Sequence, residues 1–288
     1  KVAAEFNITK YLKKGRNLCA TAPPASKWNC FKMRIRKLII GIFATLVLSG
    51  CGSEFRLANK FVAQSHAVQA AVYFPESASV TLIQDGEGNY TDALDSLNQD
   101  VFLDIMYLAY ADEMSQYGVK VYVPDDADHV PVDSLHWLVV LSKVEIQGLF
   151  TEYVDHLFDF VDDYDYTFSL NTVNVASWFD VNNGMWLPTL FDERNLMDYF
   201  NSYVTRNGKT GTQYHYEITP IFNDDLYDYA VFLGKRYAAF TYNYMMNRYI
   251  EEALQQNNES ARFQLRWDPQ EEHFFYQQEG EGFLEVEN

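Results

Sequence analysis

The chain has 288 residues, with 22 Lys/Arg against 40 Asp/Glu for a formal charge of −18. Residues 1–50 hold ten Lys/Arg and one Glu, which leaves residues 51–288 with 12 basic and 39 acidic side chains and a net −27. A surface this acidic repels phosphate backbones, which excludes nucleic-acid binding, and it repels anionic headgroups, so the folded part is expected to stand off from a bilayer.

Residues 1–32 show no sustained hydrophobic period and contain Pro23-Pro24, which breaks any helix. They are expected to be a non-native upstream extension ahead of Met33. From Met33 the chain reads MRIRKLIIGIFATLVLSGCGSE, with Arg34, Arg36 and Lys37 before an uncharged run from Leu38 to Leu48. As a helix that run spans about 16 Å, well short of a hydrocarbon core of about 30 Å. Its flanks fit the basic and apolar regions of a secretory signal.

Leu48-Ser49-Gly50-Cys51 resembles the lipobox of bacterial lipoproteins. The resemblance implies that residues 33–50 are a signal peptide removed by cleavage, that the Cys51 thiol carries diacylglycerol, and that the new amino terminus is acylated. Several acyl chains, at about 0.8 kcal/mol per buried methylene, make a stable anchor. Gly52-Ser53-Glu54 lacks the aspartate that retains lipoproteins in the inner membrane of enteric-type bacteria. It also lacks the acidic run that resembles the surface-export signal of Bacteroidota lipoproteins. An outer-membrane location facing the periplasm is the expectation. Of the three cysteines only Cys51 survives such processing, so no internal disulfide forms and the fold stands on its core.

Residues 51–70 are expected to form the lipid anchor and a tether helix, with Phe55, Leu57, Phe61, Val62 and Val68 near helical spacing. Residues 71–288 form the globular domain. Ala71–Pro75 reads as a buried strand ended by proline. Asp92–Tyr117 carries Leu94, Leu97, Val101, Ile105, Leu108 and Met114 at helical intervals, and Gly118 sits where a cap takes positive φ. Val119–Pro124 is a strand. Leu135–Phe150 begins continuously apolar and ends alternating, as a central strand leaving the core does. Tyr166–Val181 alternates with a slip between Leu170 and Val173, which predicts a bulge there. Gln213–Phe222 alternates again, a helix follows over about 224–256 from Asn223-Asp224-Asp225, and the last strands turn at Asp268-Pro269.

This order predicts an α+β domain, with helices packed on one face of a mixed or mostly antiparallel sheet. The order is similar to the domain shared by TolB amino-terminal and CsgG-type lipoproteins. NVASWFDVN (174–182) and LGKRYAAF (233–240) are similar to stretches of uncharacterised Bacteroidota lipoproteins. Neither stretch names an activity.

No H-E-x-x-H, G-x-S-x-G, P-loop or C-x-x-C motif occurs. No two histidines fall at i, i+4, so no helix face offers a ready ligand pair. Asp85, Glu87 and Asn89 alternate as calcium ligands do. Yet Tyr90 stands where the loop needs glycine, and Ser96 where a bidentate glutamate belongs. No metal, cofactor or catalytic residue is therefore assigned. The densest acidic stretch, Glu152–Tyr166, interleaves Asp155, Asp159, Asp162, Asp163 and Asp165 with Tyr153, Phe158, Phe160 and Tyr164. It reads as a solvated connection between strands, with an acidic partner-binding patch as the functional alternative.

The aromatic residues of 227–249 are expected to pack mostly against the sheet, while Trp178 and Trp186 flank a turn and are placed for exposure. The partner or ligand surface is thus expected at Trp178, Trp186, Tyr153, Asp155, Asp162, Asp163 and Asp165. The expected role is a noncatalytic accessory or assembly subunit of an envelope protein complex, anchored through Cys51. The alternative is a glycan-binding lipoprotein.

Overall fold

The computed structural model describes residues 52–82, 94–123, 133, 135–158, 163–208 and 211–286; for 155–158, 163–166, 207, 211 and 212 it describes the backbone alone. Among these residues lie three α-helices, α1 (Gly52–Gln64), α2 (Gln99–Gln116) and α3 (Asn223–Gln255). A seven-stranded sheet carries β1 (Gln69–Tyr73), β2 (Ser79–Leu82), β3 (Lys120–Tyr122), β4 (His136–Phe158), β5 (Asp163–Asn182), β6 (Thr189–Met197) and β11 (Leu284–Val286). Two small sheets pair β7 (Tyr199–Asn207) with β8 (Gly211–Thr219), and β9 (Leu265–Asp268) with β10 (His273–Tyr276). The fold is α+β. None of the described helices is long and apolar enough to cross a membrane.

The main sheet is mixed, with strand order β11-β6-β5-β4-β1-β3. β1 runs parallel to both β3 and β4, and β2 runs parallel to β4 further along the same edge. β4, β5, β6 and β11 are antiparallel neighbours. The run of apolar residues at the start of β4 has a local cause. The β4–β5 register shifts between Leu141 and Lys143, so Ser142 is an extra residue. Trp137, Val139 and Leu141 are buried before it, and Val144 and Ile146 after it. One inserted residue reverses the inward phase of the strand.

The bulge expected between Leu170 and Val173 is absent: β5 keeps an unbroken register with β4 there. The apparent slip is a change of covered face. Val173, Val175, Phe179 and Val181 point into the core under the helices. Phe168 and Leu170 have the opposite parity, and they line a hollow with Met197, Tyr199 and Phe200.

α2 and α3 form the helical layer. Asn98 caps α2 by accepting from the amides of Asp100 and Val101 at 3.1 and 3.2 Å, which sets the start later than the hydrophobic period suggests. Gly118 has φ +80° just beyond the helix, as expected of its cap. Asp225 supports the start of α3 by accepting from the Phe222 amide at 2.8 Å. Gly234 lets the two helices touch: a Cβ there would lie 2.2 Å from the Met106 carbonyl oxygen and 2.9 Å from Ala109 Cβ. Tyr229, Tyr237, Phe240 and Tyr242 of α3 are buried. Each fully buried large side chain contributes about 1.5–3 kcal/mol.

Two further expectations meet the structure. The β9–β10 hairpin turns at Asp268-Pro269 as expected, with Asp268 Oδ1 accepting from the Gln270 and Glu271 amides. The acidic stretch 152–166 is largely not a loop, because β4 continues to Phe158 and β5 resumes at Asp163. The calcium-like segment lies mostly outside the described residues. Among the described ones no group of three or more His, Cys, Asp or Glu is placed to hold a metal.

Candidate protein interface

Beyond the core, β4 and β5 stay paired from Thr151↔Leu170 to Phe158↔Asp163 and form an arm. A second hairpin, β7–β8, lies against it. Its alternation puts Phe200, Ser202 and Val204 on one face with Ile218, Tyr216 and Tyr214, and Tyr199, Asn201 and Tyr203 on the other with Thr219, Glu217 and His215. The hairpins are joined by rings. Tyr153 stacks on Phe168 at 5.8 Å, Phe168 on Phe200 at 4.3 Å with planes 8° apart, and Phe200 on Tyr216 at 6.0 Å. Across the outer face Tyr203 stacks on His215 at 4.6 Å, and His215 Nε2 lies 2.8 Å from Thr205 Oγ1.

One carboxylate fixes the arm's base. Asp198 stands between β6 and β7 and is buried. Its Oδ2 accepts from the amide and the side-chain nitrogen of Asn171, both at 2.8 Å, and its Oδ1 accepts from the Ile221 amide at 2.8 Å. A carboxylate with three N–H partners is well compensated for burial. It ties β5, the start of the second hairpin and the approach to α3 to one point.

The arm exposes several large apolar side chains among polar ones, on both faces of the second hairpin. Tyr199 is 65% exposed, and Tyr203 and Val204 each 50%; Val154, Met197 and Ile218 are also exposed. A hollow of about 530 Å³ is lined by Tyr153, Phe168, Leu170, Met197, Asp198, Tyr199 and Phe200. Among the described residues β7 and β8 pair only with each other, so no described strand runs along their outer edges. Exposed tyrosines beside such an edge are the chemistry of protein docking: the rings supply area at low entropic cost and the edge offers strand addition.

Of the residues expected at a surface, Tyr153 belongs to this arm. The backbones of Asp155, Asp163 and Asp165 lie in its strands, opposite Tyr166, Phe158 and His156. Asp162 and Cys51 lie outside the described residues. Trp178 is not part of this cluster, standing ten residues from Phe168 along β5, roughly 33 Å. Its ring is taken by Lys143 Nζ at 4.6 Å and Phe191 at 5.0 Å. Trp186 fastens the β5–β6 turn to α3. Its Nε1 donates to Glu252 Oε1 at 3.1 Å, and the Arg248 guanidinium lies 4.5 Å from its ring. Arg248 also pairs with Glu251 at 2.7 Å and with Glu285 of β11.

Tyr199, Phe200, Tyr203 and Val204 were not expected at a surface. Their signal is the Asn207-Gly208 turn between two alternating runs, a hairpin pattern. A second unexpected group is Asp192 on β6, buried between Arg194 at 2.8 Å and Arg236 at 3.7 Å. Both guanidiniums also donate to the Gly280 carbonyl, at 2.9 and 3.2 Å. Burial pushes the Asp192 carboxyl up despite the two arginines, and burial likewise lowers Arg236. The cluster locks the segment before β11 onto β6 and α3.

No family model matches the chain, and no curated protein matches it. A similar solved structure is that of a neuraminyllactose-binding hemagglutinin homolog from Helicobacter pylori. The match covers 65% of this chain and 91% of that one, at 7% identity and a TM-score of 0.34. A likeness this low carries no argument.

Proposed function

We propose that the chain is a noncatalytic lipoprotein of the outer membrane, anchored through Cys51 and facing the periplasm, that serves as an accessory or assembly subunit of an envelope complex. Its protein partner docks on the two-hairpin arm. The observation that carries this reading is the exposure of Tyr199, Tyr203 and Val204 on an arm anchored through Asp198. Aromatic anchors of this kind supply most of an interface's energy once water is excluded around them. The glycan alternative calls on Trp178 and Trp186, whose rings already have protein partners.

The test is affinity purification of the tagged chain from gently solubilised membranes, in parallel with a variant carrying Tyr199→Ser, Tyr203→Ser and Val204→Ser. The native chain should bring down a stoichiometric partner, and the variant should lose it at unchanged thermal stability. Recovery of the native chain alone, or a partner retained by the variant, speaks against docking on the arm.

A further inference from the structure

α1 begins at Gly52, and Glu54 in its first turn is bound into the domain. Glu54 is buried, and its Oε1 accepts from the Arg262 amide at 3.3 Å. Phe55 packs edge-on against Phe274 at 6.1 Å and Tyr276 at 5.7 Å, and Tyr276 meets Phe263 at 5.2 Å. Three residues reach at most about 11 Å, so the attachment point at Cys51 is tied within that reach of Glu54. Only Gly52 and Ser53 stand between Cys51 and Glu54 in the sequence.

The face itself differs from the rest of the acidic surface. Tyr276 is 51% exposed and Phe263 40%. Among the described residues the Arg262 side chain makes no ion pair or hydrogen bond. Beside the two rings is an open hollow of about 660 Å³, to which Arg262, Gln264, Gln277, Gln278 and Glu279 contribute polar groups. Its wall is held in place, since Gly280 accepts from both Arg194 and Arg236.

We infer that this face, built from Phe55, Arg262, Phe263 and Tyr276, is a bilayer-contact surface. It seats the domain on the membrane that holds its lipid. Half-exposed aromatic rings favour the headgroup level, where one end is apolar and the other wet. Arg262 is placed to meet a lipid phosphate, a match a guanidinium makes well. The domain then stands on the bilayer instead of apart from it. This inference rests on acylation of Cys51, and its test reads the two separately.

The full chain is purified with its lipid, its mass is measured for acylation at Cys51, and it is placed in phosphatidylcholine vesicles. An acylated Cys51 leaves no free thiol in the processed chain, so Phe263→Cys, Tyr276→Cys and, as a control, Tyr203→Cys each take a single nitroxide label. Collision with a water-soluble nickel chelate should be several-fold weaker at positions 263 and 276 than at 203. The unmodified chain, exposed to a lipid with a photoactivatable headgroup, should yield adducts on peptides containing Phe263 and Tyr276. An acylated chain whose labels at 263 and 276 are as open to the chelate as that at 203, or whose adducts fall elsewhere, overturns the contact surface and leaves the anchor standing. A chain without acyl mass at Cys51 overturns both.

Discussion

Asp198 and Asn171 are joined by three hydrogen bonds. The Asn171 amide and side chain donate to one carboxylate oxygen at 2.8 Å, and the Asp198 amide donates back to the Asn171 carbonyl at 2.9 Å. The second carboxylate oxygen accepts from Ile221, so one side chain serves as the root of the arm. Asp198→Ala should leave three donors without that acceptor and cost about 2–4 kcal/mol. Hydrogen exchange should quicken through β7–β8 before it does in α3. Equal acceleration throughout would show that Asp198 is not a local root.

The stack of Phe168 on Phe200 should account for the registry of the two hairpins. A double-mutant cycle with Phe168→Leu and Phe200→Leu should return a coupling of about 0.5–1.5 kcal/mol. A coupling near zero would mean that the hairpins are aligned by their base alone.

Asp192 gives a pH signature. Its carboxyl is raised above the ordinary 3.8 by burial, against the lowering effect of Arg194 and Arg236. Above about pH 3.8 the unfolded chain releases this proton while the folded chain still holds it. The contribution to stability is therefore complete below that pH and is lost as pH rises through the folded value. Denaturant midpoints of the native chain and of Asp192→Asn, compared from pH 3.8 upward, should show the native chain losing ground to the variant as pH rises. The opposite slope would mean that the arginines, not burial, govern the group.

Gly234→Ala places a methyl against the Met106 carbonyl and Ala109 where α2 and α3 cross. Neither neighbour is the end of a flexible side chain, so the helices must separate. The cost should be about 1–3 kcal/mol, or roughly 2–10 °C in melting temperature for a domain of this size. An unchanged melting temperature would show that the crossing has slack.

Much of the fold is legible in the residues because local chemistry and burial agree there. The period of 99–116, the acidic start of α3 and the Asp268-Pro269 turn each coincide with an element. β6 is hidden because its inward positions hold Leu190 and then Asp192, and a buried carboxylate reads as exposure. The arm is obscured for a related reason. Its carboxylates alternate with rings, which looks like a solvated loop until both strands are seen paired. Trp186 shows the limit in the other direction. A turn tryptophan suggests exposure, and only the long-range bond to Glu252 reveals its use as a fastening.

The length of β5 has a mechanical consequence. Its 20 residues span roughly 66 Å, from the arm to the layer where Tyr237 donates to Ser177 at 2.9 Å. Tension applied by a bound partner along the arm loads the β4–β5 ladder in shear, so many hydrogen bonds resist together. A sideways pull on β7–β8 would instead open its ladder one rung at a time. The molecule is stiff along one axis and yielding across it, and the direction of the load decides whether it transmits force or gives way.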